Sequence, residues 1–128
     1  MNTGGKNRPR LLVLDTGKYQ KLFDAVLGQQ YELLATENAR DAITIASSES
    51  PDLVLLNYIL PENDGIEVAK GIRESASIAM PILLMLSKDM PTLRQRATKA
   101  GCSDFLIKPI DPKKLRDKIE HMLNGKRV

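Results

Sequence analysis

The sequence predicts an α/β fold, a doubly wound five-stranded parallel sheet of strand order 2-1-3-4-5, on three observations. Short apolar runs of four or five residues alternate with segments whose apolar residues recur at three and four. Each connection between runs is long enough for a parallel crossover. The runs lack the apolar/polar alternation of strands with one wet face, so both faces of the sheet are expected to be covered by helices.

Leu11-Leu12-Val13-Leu14 is the first run, closed by Asp15-Thr16-Gly17. From Lys18 to Leu27, Tyr19, Leu22, Phe23, Val26 and Leu27 keep helical spacing, and Gly28 is expected to end that helix in a left-handed cap. Tyr31 to Ala35 reads as the second strand. Asn38 caps a helix running to about Ser48, with Ala42, Ile43, Ile45 and Ala46 as its inner side. The central strand spans residues 52–57, and a third helix runs from about Asp64 to Ser75 on Ile66, Ala69 and Ile72. Pro81 leads the strand Ile82–Leu86, which stops at Ser87. A weakly apolar helix, residues 92–100, is expected to pack loosely on Leu93, Ala97 and Ala100. Asp104–Ile107 is the fifth strand and ends at Lys108-Pro109. Asp111 and Pro112 open the last helix as cap and first helical residue, and Gly125 closes it after Leu115, Ile119, Met122 and Leu123.

The chain of 128 residues, 42% hydrophobic, suits one domain over residues 9–124 with flexible ends at 1–8 and 125–128. No apolar run approaches the ~18 residues of a membrane span, and the polar leader has no signal-peptide core, so a cytoplasmic location is expected. The net charge of +3 permits acidic partners, but the basic residues are dispersed and no aromatic residues interleave with them, which argues against direct nucleic-acid binding. One cysteine, Cys102, excludes an intrachain disulfide and is expected to be an inert small residue. His121, near the end of the last helix, is expected to be exposed.

The predicted strand order puts the topological switch point between the first and third strands. Asp15, Thr16 and Asn57 should therefore share a crevice flanked by Ser87 and Lys108. Lys108 either pairs with Asp15 or donates to the Asn57 carbonyl oxygen. Thr16 is a competent cap for the first helix.

The stretch from Pro51 to Gly65 runs Pro-Asp, four apolar residues, Asn57, Tyr58-Ile59, Leu60-Pro61, Glu62-Asn63, Asp64-Gly65. It resembles the phosphoacceptor segment of bacterial receiver domains, the signal-accepting modules of response regulators, at every position but one. That family carries an acceptor Asp where this chain has Asn57. The resemblance covers roughly residues 9–124 and implies the flavodoxin-like, CheY-like (βα)5 fold. It also implies that Asp15-Thr16 stands for the family's pair of metal-holding acids, with the second acid missing. Ser87 stands for the Ser or Thr that senses the phosphoryl group, Phe105 for the switch aromatic, and Lys108 for the lysine of the Lys-Pro pair. Lys88 stands where a small residue is usual and would crowd the crevice.

An amide has no anionic oxygen with which to attack phosphorus. Three carboxylates and one lysine sum to −2 and offset a divalent cation, whereas Asp15 with Lys108 sums to zero; each lost pair is worth about 4 kcal/mol at an effective dielectric of 20. No cofactor is expected, and Mg²⁺ binding is expected to be weak or absent. The reading is a non-enzymatic pseudo-receiver that works by protein–protein interaction or dimerisation in a bacterial two-component-type pathway. The alternative is an ordinary phosphoacceptor receiver silenced by an engineered Asp-to-Asn change at Asn57, against which the second missing acid at Thr16 argues. A nucleotide- or flavin-binding enzyme of the same architecture is disfavoured by the lack of any phosphate-binding glycine loop. The expected partner, a signalling protein or a second copy, would dock on helix 92–100, strand 104–107 and helix 112–124, where Arg94, Arg96, Lys99, Lys113 and Lys114 favour acidic or alternating charge.

Overall fold

In the computed structural model, which describes residues 8–60, 64–76 and 80–126, five strands and five helices alternate along the chain. They are β1 (Arg10–Leu14), α1 (Gln20–Leu27), β2 (Glu32–Thr36), α2 (Ala39–Glu49), β3 (Leu53–Asn57), α3 (Gly65–Ala76), β4 (Ile82–Leu86), α4 (Pro91–Ala100), β5 (Asp104–Ile107) and α5 (Pro112–Lys126). The strands form one sheet in the order β2-β1-β3-β4-β5, every pair parallel. This is the predicted topology.

The pleat sends alternate residues to opposite faces, and each face finds its own helices. Leu12, Leu14, Val54, Leu56, Ile82 and Leu84 meet Ala42, Ala46, Ile66, Ala69, Ile72 and Ala97 of α2, α3 and α4. Leu11, Val13, Leu53, Leu55, Leu83 and Met85 meet Phe23 and Leu27 of α1 and Leu115, Ile119 and Leu123 of α5. β3 and β4 are buried at all five positions, which is why their sequences read as unbroken apolar runs. β2, at the edge, is only half-buried. Asn38 caps α2 as expected by accepting from the Asp41 N–H at 3.0 Å, and Asp64 caps α3 by accepting from the Glu67 N–H at 2.9 Å.

Several expectations need correction. α1 begins at Gln20 rather than Lys18, and Gly28 stays right-handed at φ −64°, its N–H returning to the Asp24 carbonyl. The chain leaves through N–H groups of Gln30 and Tyr31 that both donate to Leu27, so no left-handed residue is needed. α5 continues through Gly125 to Lys126, since an exposed last turn tolerates a glycine at a cost of about 1 kcal/mol. Arg8, placed in a flexible end by the sequence, is anchored by donating to the Gly28 carbonyl at 2.9 Å. The rest of the proposed flexible ends, residues 1–7 and 127–128, and the turn residues 61–63 lie outside the described residues.

Candidate functional site

β1 and β3 are neighbours in the sheet, and their carboxyl ends deliver Asp15 and Asn57 to one spot. Both are buried, with 2% and 3% of their surface exposed. A buried carboxylate needs its oxygens satisfied, and here the local chain does it. Asp15 Oδ2 accepts the backbone N–H groups of Gly17 and Tyr19, each at 3.0 Å. Oδ1 accepts the Asn57 side-chain amide at 3.0 Å. The Asn57 carbonyl oxygen in turn accepts from Lys108 Nζ at 2.7 Å. The amide is thus a two-ended bridge, donating to an anion and accepting from a cation. Lys108 takes the second of the two geometries open to it, and no direct Lys108–Asp15 contact is made within salt-bridge distance.

Asp15, and not Thr16, organises the entry to α1, which has no side-chain cap of its own at Tyr19. Thr16 is exposed. Gly65 closes the floor of the site. A Cβ there would stand 2.6 Å from the Asn57 backbone carbonyl oxygen and 2.8 Å from the Leu84 methyl, so the start of α3 can press against the end of β3 only without a side chain.

Above the bridge lies an open cleft of about 450 Å³ lined by Thr16, Lys18, Tyr19, Asn57, Ile59, Ser87, Lys108 and Pro109. The crevice predicted from strand order therefore exists, with Asp15 beneath its wall. Lys18, Tyr19, Ile59 and Pro109 were not foreseen. Only the turn signal Asp15-Thr16-Gly17 pointed to Lys18 and Tyr19, since a turn leaving β1 must return over the same edge of the sheet. Two ammonium groups lie near the Tyr19 ring, Lys18 Nζ at 5.8 Å and Lys108 Nζ at 5.1 Å from its centroid. Burial pushes the Lys108 ammonium below the ordinary lysine range; Asp15 opposes that shift and Lys18 adds to it. Lys88 is exposed and does not line the cleft, so the expected crowding is absent.

The residues present do not fit Mg²⁺. A hard cation needs anionic oxygens with free lone pairs aimed at it. Among the described residues the carboxylate at this site is Asp15, which has three N–H donors on it, and its neighbours are an exposed hydroxyl, an amide and an ammonium. Among the described residues no group of three His, Cys, Asp or Glu side chains is placed to hold a metal.

On the far edge of the sheet, Phe105 is half-buried, with the Arg94 guanidinium 4.9 Å from its ring centroid. Arg94 is itself paired with Asp89 at 3.4 Å. A groove of about 510 Å³ lined by Arg94, Phe105, Ile107, Lys114, Lys118 and His121, among others, runs between α4 and α5. Lys99 lines an adjoining hollow. Of the five predicted partner-face residues, the structure gathers Arg94, Lys99 and Lys114 around Phe105; Arg96 and Lys113 are exposed but line neither depression. Lys113 is held within its own helix by Asp117 at 2.8 Å. Sequence reasoning missed Lys118, which bonds the Phe105 carbonyl oxygen at 3.2 Å and pairs with Asp104 at 3.3 Å. His121 is exposed, as expected.

A five-stranded parallel (βα)5 sheet with a polar cleft at the β1/β3 switch point defines the CheY-like class of signalling domain. The model of the response regulator receiver domain matches residues 11–120, and the chain belongs to that family. It is 28% identical over 119 residues to Protein PilH of Pseudomonas aeruginosa, covering 91% of this chain and 98% of that one. It is 29% identical over 98 residues to the alkaline phosphatase synthesis transcriptional regulatory protein PhoP of Bacillus subtilis, where the match covers 77% of this chain but 40% of the relative. A two-component response regulator from Clostridium difficile superposes with a TM-score of 0.85 at 25% identity, over 94% of this chain and 100% of that one. The chain is thus a receiver domain of two-component signalling, a kind of module that acts through protein partners. None of its described helices is long and apolar enough to cross a membrane.

Proposed function

We propose that this receiver domain works without an aspartyl phosphate, as a cytoplasmic, non-enzymatic pseudo-receiver that binds a signalling partner or a second copy of itself and needs no cofactor. The observation that carries the reading is the Asp15–Asn57–Lys108 bridge. A phosphoacceptor must offer an anionic oxygen to an incoming phosphorus atom, and Asn57 offers an amide whose two ends are already engaged. Asp15 and Lys108 offset each other, so no net negative charge remains to draw Mg²⁺. Ser87, Phe105 and Lys108 keep the family's side chains, but the group that would pull Ser87 inward has nowhere to attach. A surface held in one state suits constitutive binding. The α4–β5–α5 face is the candidate, with Arg94, Lys99 and Lys114 around Phe105 and Arg96 and Lys113 nearby, favouring a partner of acidic or alternating charge.

The test is an NMR titration with beryllofluoride and Mg²⁺, a phosphoryl mimic. A ligand shifts a two-state equilibrium only through differential affinity for the states. The amides of residues 87–108 are expected to stay unmoved; saturable shifts at Ser87 and Phe105 would restore a working phosphorylation switch.

A further inference from the structure

The cleft over the Asn57 bridge has a wall chemistry that the phosphorylation-independent reading leaves unused. Among the described residues its lining carries two ammonium groups, Lys18 and Lys108, three hydroxyls, Thr16, Tyr19 and Ser87, and no carboxylate. Asp15 lies beneath them, 2% exposed, both oxygens taken by N–H donors. Its charge offsets that of Lys108 and leaves Lys18 as excess. Lys108 spends one of its three N–H donors on Asn57, so the others are open to the cleft.

The rim is apolar. Ile59 is 57% exposed and lines the cleft beside Tyr19 and the exposed Pro109. Ile59 and Met90, the latter 46% exposed, are the exposed large hydrophobic side chains among the described residues. They follow β3 and β4, so both stand in loops at the carboxyl edge of the sheet, where the cleft opens. Half-buried Lys108 and exposed Lys18 beside exposed apolar side chains match a side-chain carboxylate carried on a chain with apolar neighbours better than a free ion, which would leave Ile59 and Pro109 in water.

We propose that this cleft is a docking site for an acidic peptide segment of a protein partner, whose Asp or Glu carboxylate enters between Lys18 and Lys108 while its apolar neighbours cover Ile59 and Pro109. The proposal rests on the cleft holding no phosphoryl group, and it concerns a surface separate from the α4–β5–α5 face. Lys18 and Lys108 both lie near the Tyr19 ring, and two like charges gain from an anion that approaches both: Lys18 pushes the Lys108 ammonium down, and a bound carboxylate reverses that push.

The test uses random heptapeptides displayed on phage and selected on the full chain in magnesium-free buffer, followed by NMR titration of the enriched peptides. The expected result is enrichment of an Asp or Glu between apolar residues, with saturable shifts at Lys18, Ser87, Lys108 and the Asn57 side-chain amide. Replacing the peptide's acid by its amide should weaken binding roughly tenfold, as should Lys18→Glu, while Lys70→Glu on the exposed side of α3 should leave it unchanged. The proposal is overturned by selection that yields no acidic position, by undiminished binding in Lys18→Glu, or by shifts confined to the Phe105 groove. Inorganic phosphate that saturates the same amides and competes away no peptide-rim contact at Ile59 would mark a free-anion pocket and likewise overturn it. Uptake of phosphate from acetyl phosphate, read separately by intact mass, reports on the phosphorylation-independent reading and not on the peptide.

Discussion

The Asn57 side-chain amide donates to the Asp15 carboxylate at 3.0 Å, across the gap between two neighbouring parallel strands, with both residues buried. A carboxylate at residue 57 would face Asp15 with no proton between them, and a cation would have to be recruited to hold the two together. The amide supplies that proton permanently. What a bound metal would otherwise do, namely reconcile the groups at the ends of β1 and β3, is done by a hydrogen bond that is always present.

Removing the bridge should therefore be costly. Asn57→Ala leaves Asp15 Oδ1 and the Lys108 ammonium without their partner in a buried setting, and stability is expected to fall by about 2–4 kcal/mol. Urea denaturation followed by circular dichroism measures it. A loss below about 1 kcal/mol would mean that water or a direct Lys108–Asp15 pair replaces the amide at no cost.

Gly65→Ala tests the floor of the same site. The added methyl would stand 2.6 Å from the Asn57 backbone carbonyl oxygen, which cannot rotate away as a side chain could. A loss of roughly 1–3 kcal/mol is expected, as for overpacking in a filled core. The amide resonances of Asn57 and Tyr58 should shift most in the spectrum of the variant.

Cys102 gives a prediction in pH. It is buried, and burial pushes its thiol up to about 12 from an ordinary 9.0, with the Arg73 guanidinium opposing. Below pH 9 folded and unfolded chains both hold the thiol proton, so the full stability is present there. Above it the unfolded chain releases the proton first, and stability falls, by at most about 1.4 kcal/mol per pH unit, until the folded thiol also titrates. Stability curves of the native chain and of Cys102→Ala should diverge in slope between pH 9.0 and about 12. Parallel curves would contradict the assignment. At pH 8 a thiol reagent should label Cys102 only as fast as the chain opens.

Restoring acids should restore chemistry only in pairs. Asn57→Asp alone supplies a nucleophile but leaves Thr16 in place of a second acid, so little acid-labile phosphate should form with acetyl phosphate and Mg²⁺. Asn57→Asp with Thr16→Asp is expected to take up measurably more, because the exposed Thr16 already lines the cleft. Equal uptake by the two variants would show that Thr16 is not the limiting position.

The fold was legible because the strands at the centre of the sheet, β3 and β4, are buried at every position and had to be apolar throughout. From that followed the strand order, and from the order the meeting of Asp15, Asn57 and Lys108. The hydrogen-bond pattern among them was not legible. Lys108 had two geometries open, and the sequence holds no term that ranks a bond to an amide oxygen above a pair with a carboxylate whose lone pairs are taken by Gly17 and Tyr19. Those backbone donors come from a turn, where conformation is set by the chain's return over the sheet and not by side-chain period. The same reason hid Lys18, Tyr19, Ile59 and Pro109 from the cleft, and made Gly28 look like a left-handed stop when a right-handed turn closes α1. Lys118 carried no sequence signal, because nothing in helical spacing says that α5 passes close enough to β5 for it to reach the Phe105 carbonyl.

The central claim is that Asn57 closes this pocket to phosphoryl chemistry, and the intact mass of the unaltered chain after incubation with acetyl phosphate and Mg²⁺ tests it most directly. The mass is expected to be unchanged. A gain of one acid-labile phosphoryl group would contradict the account.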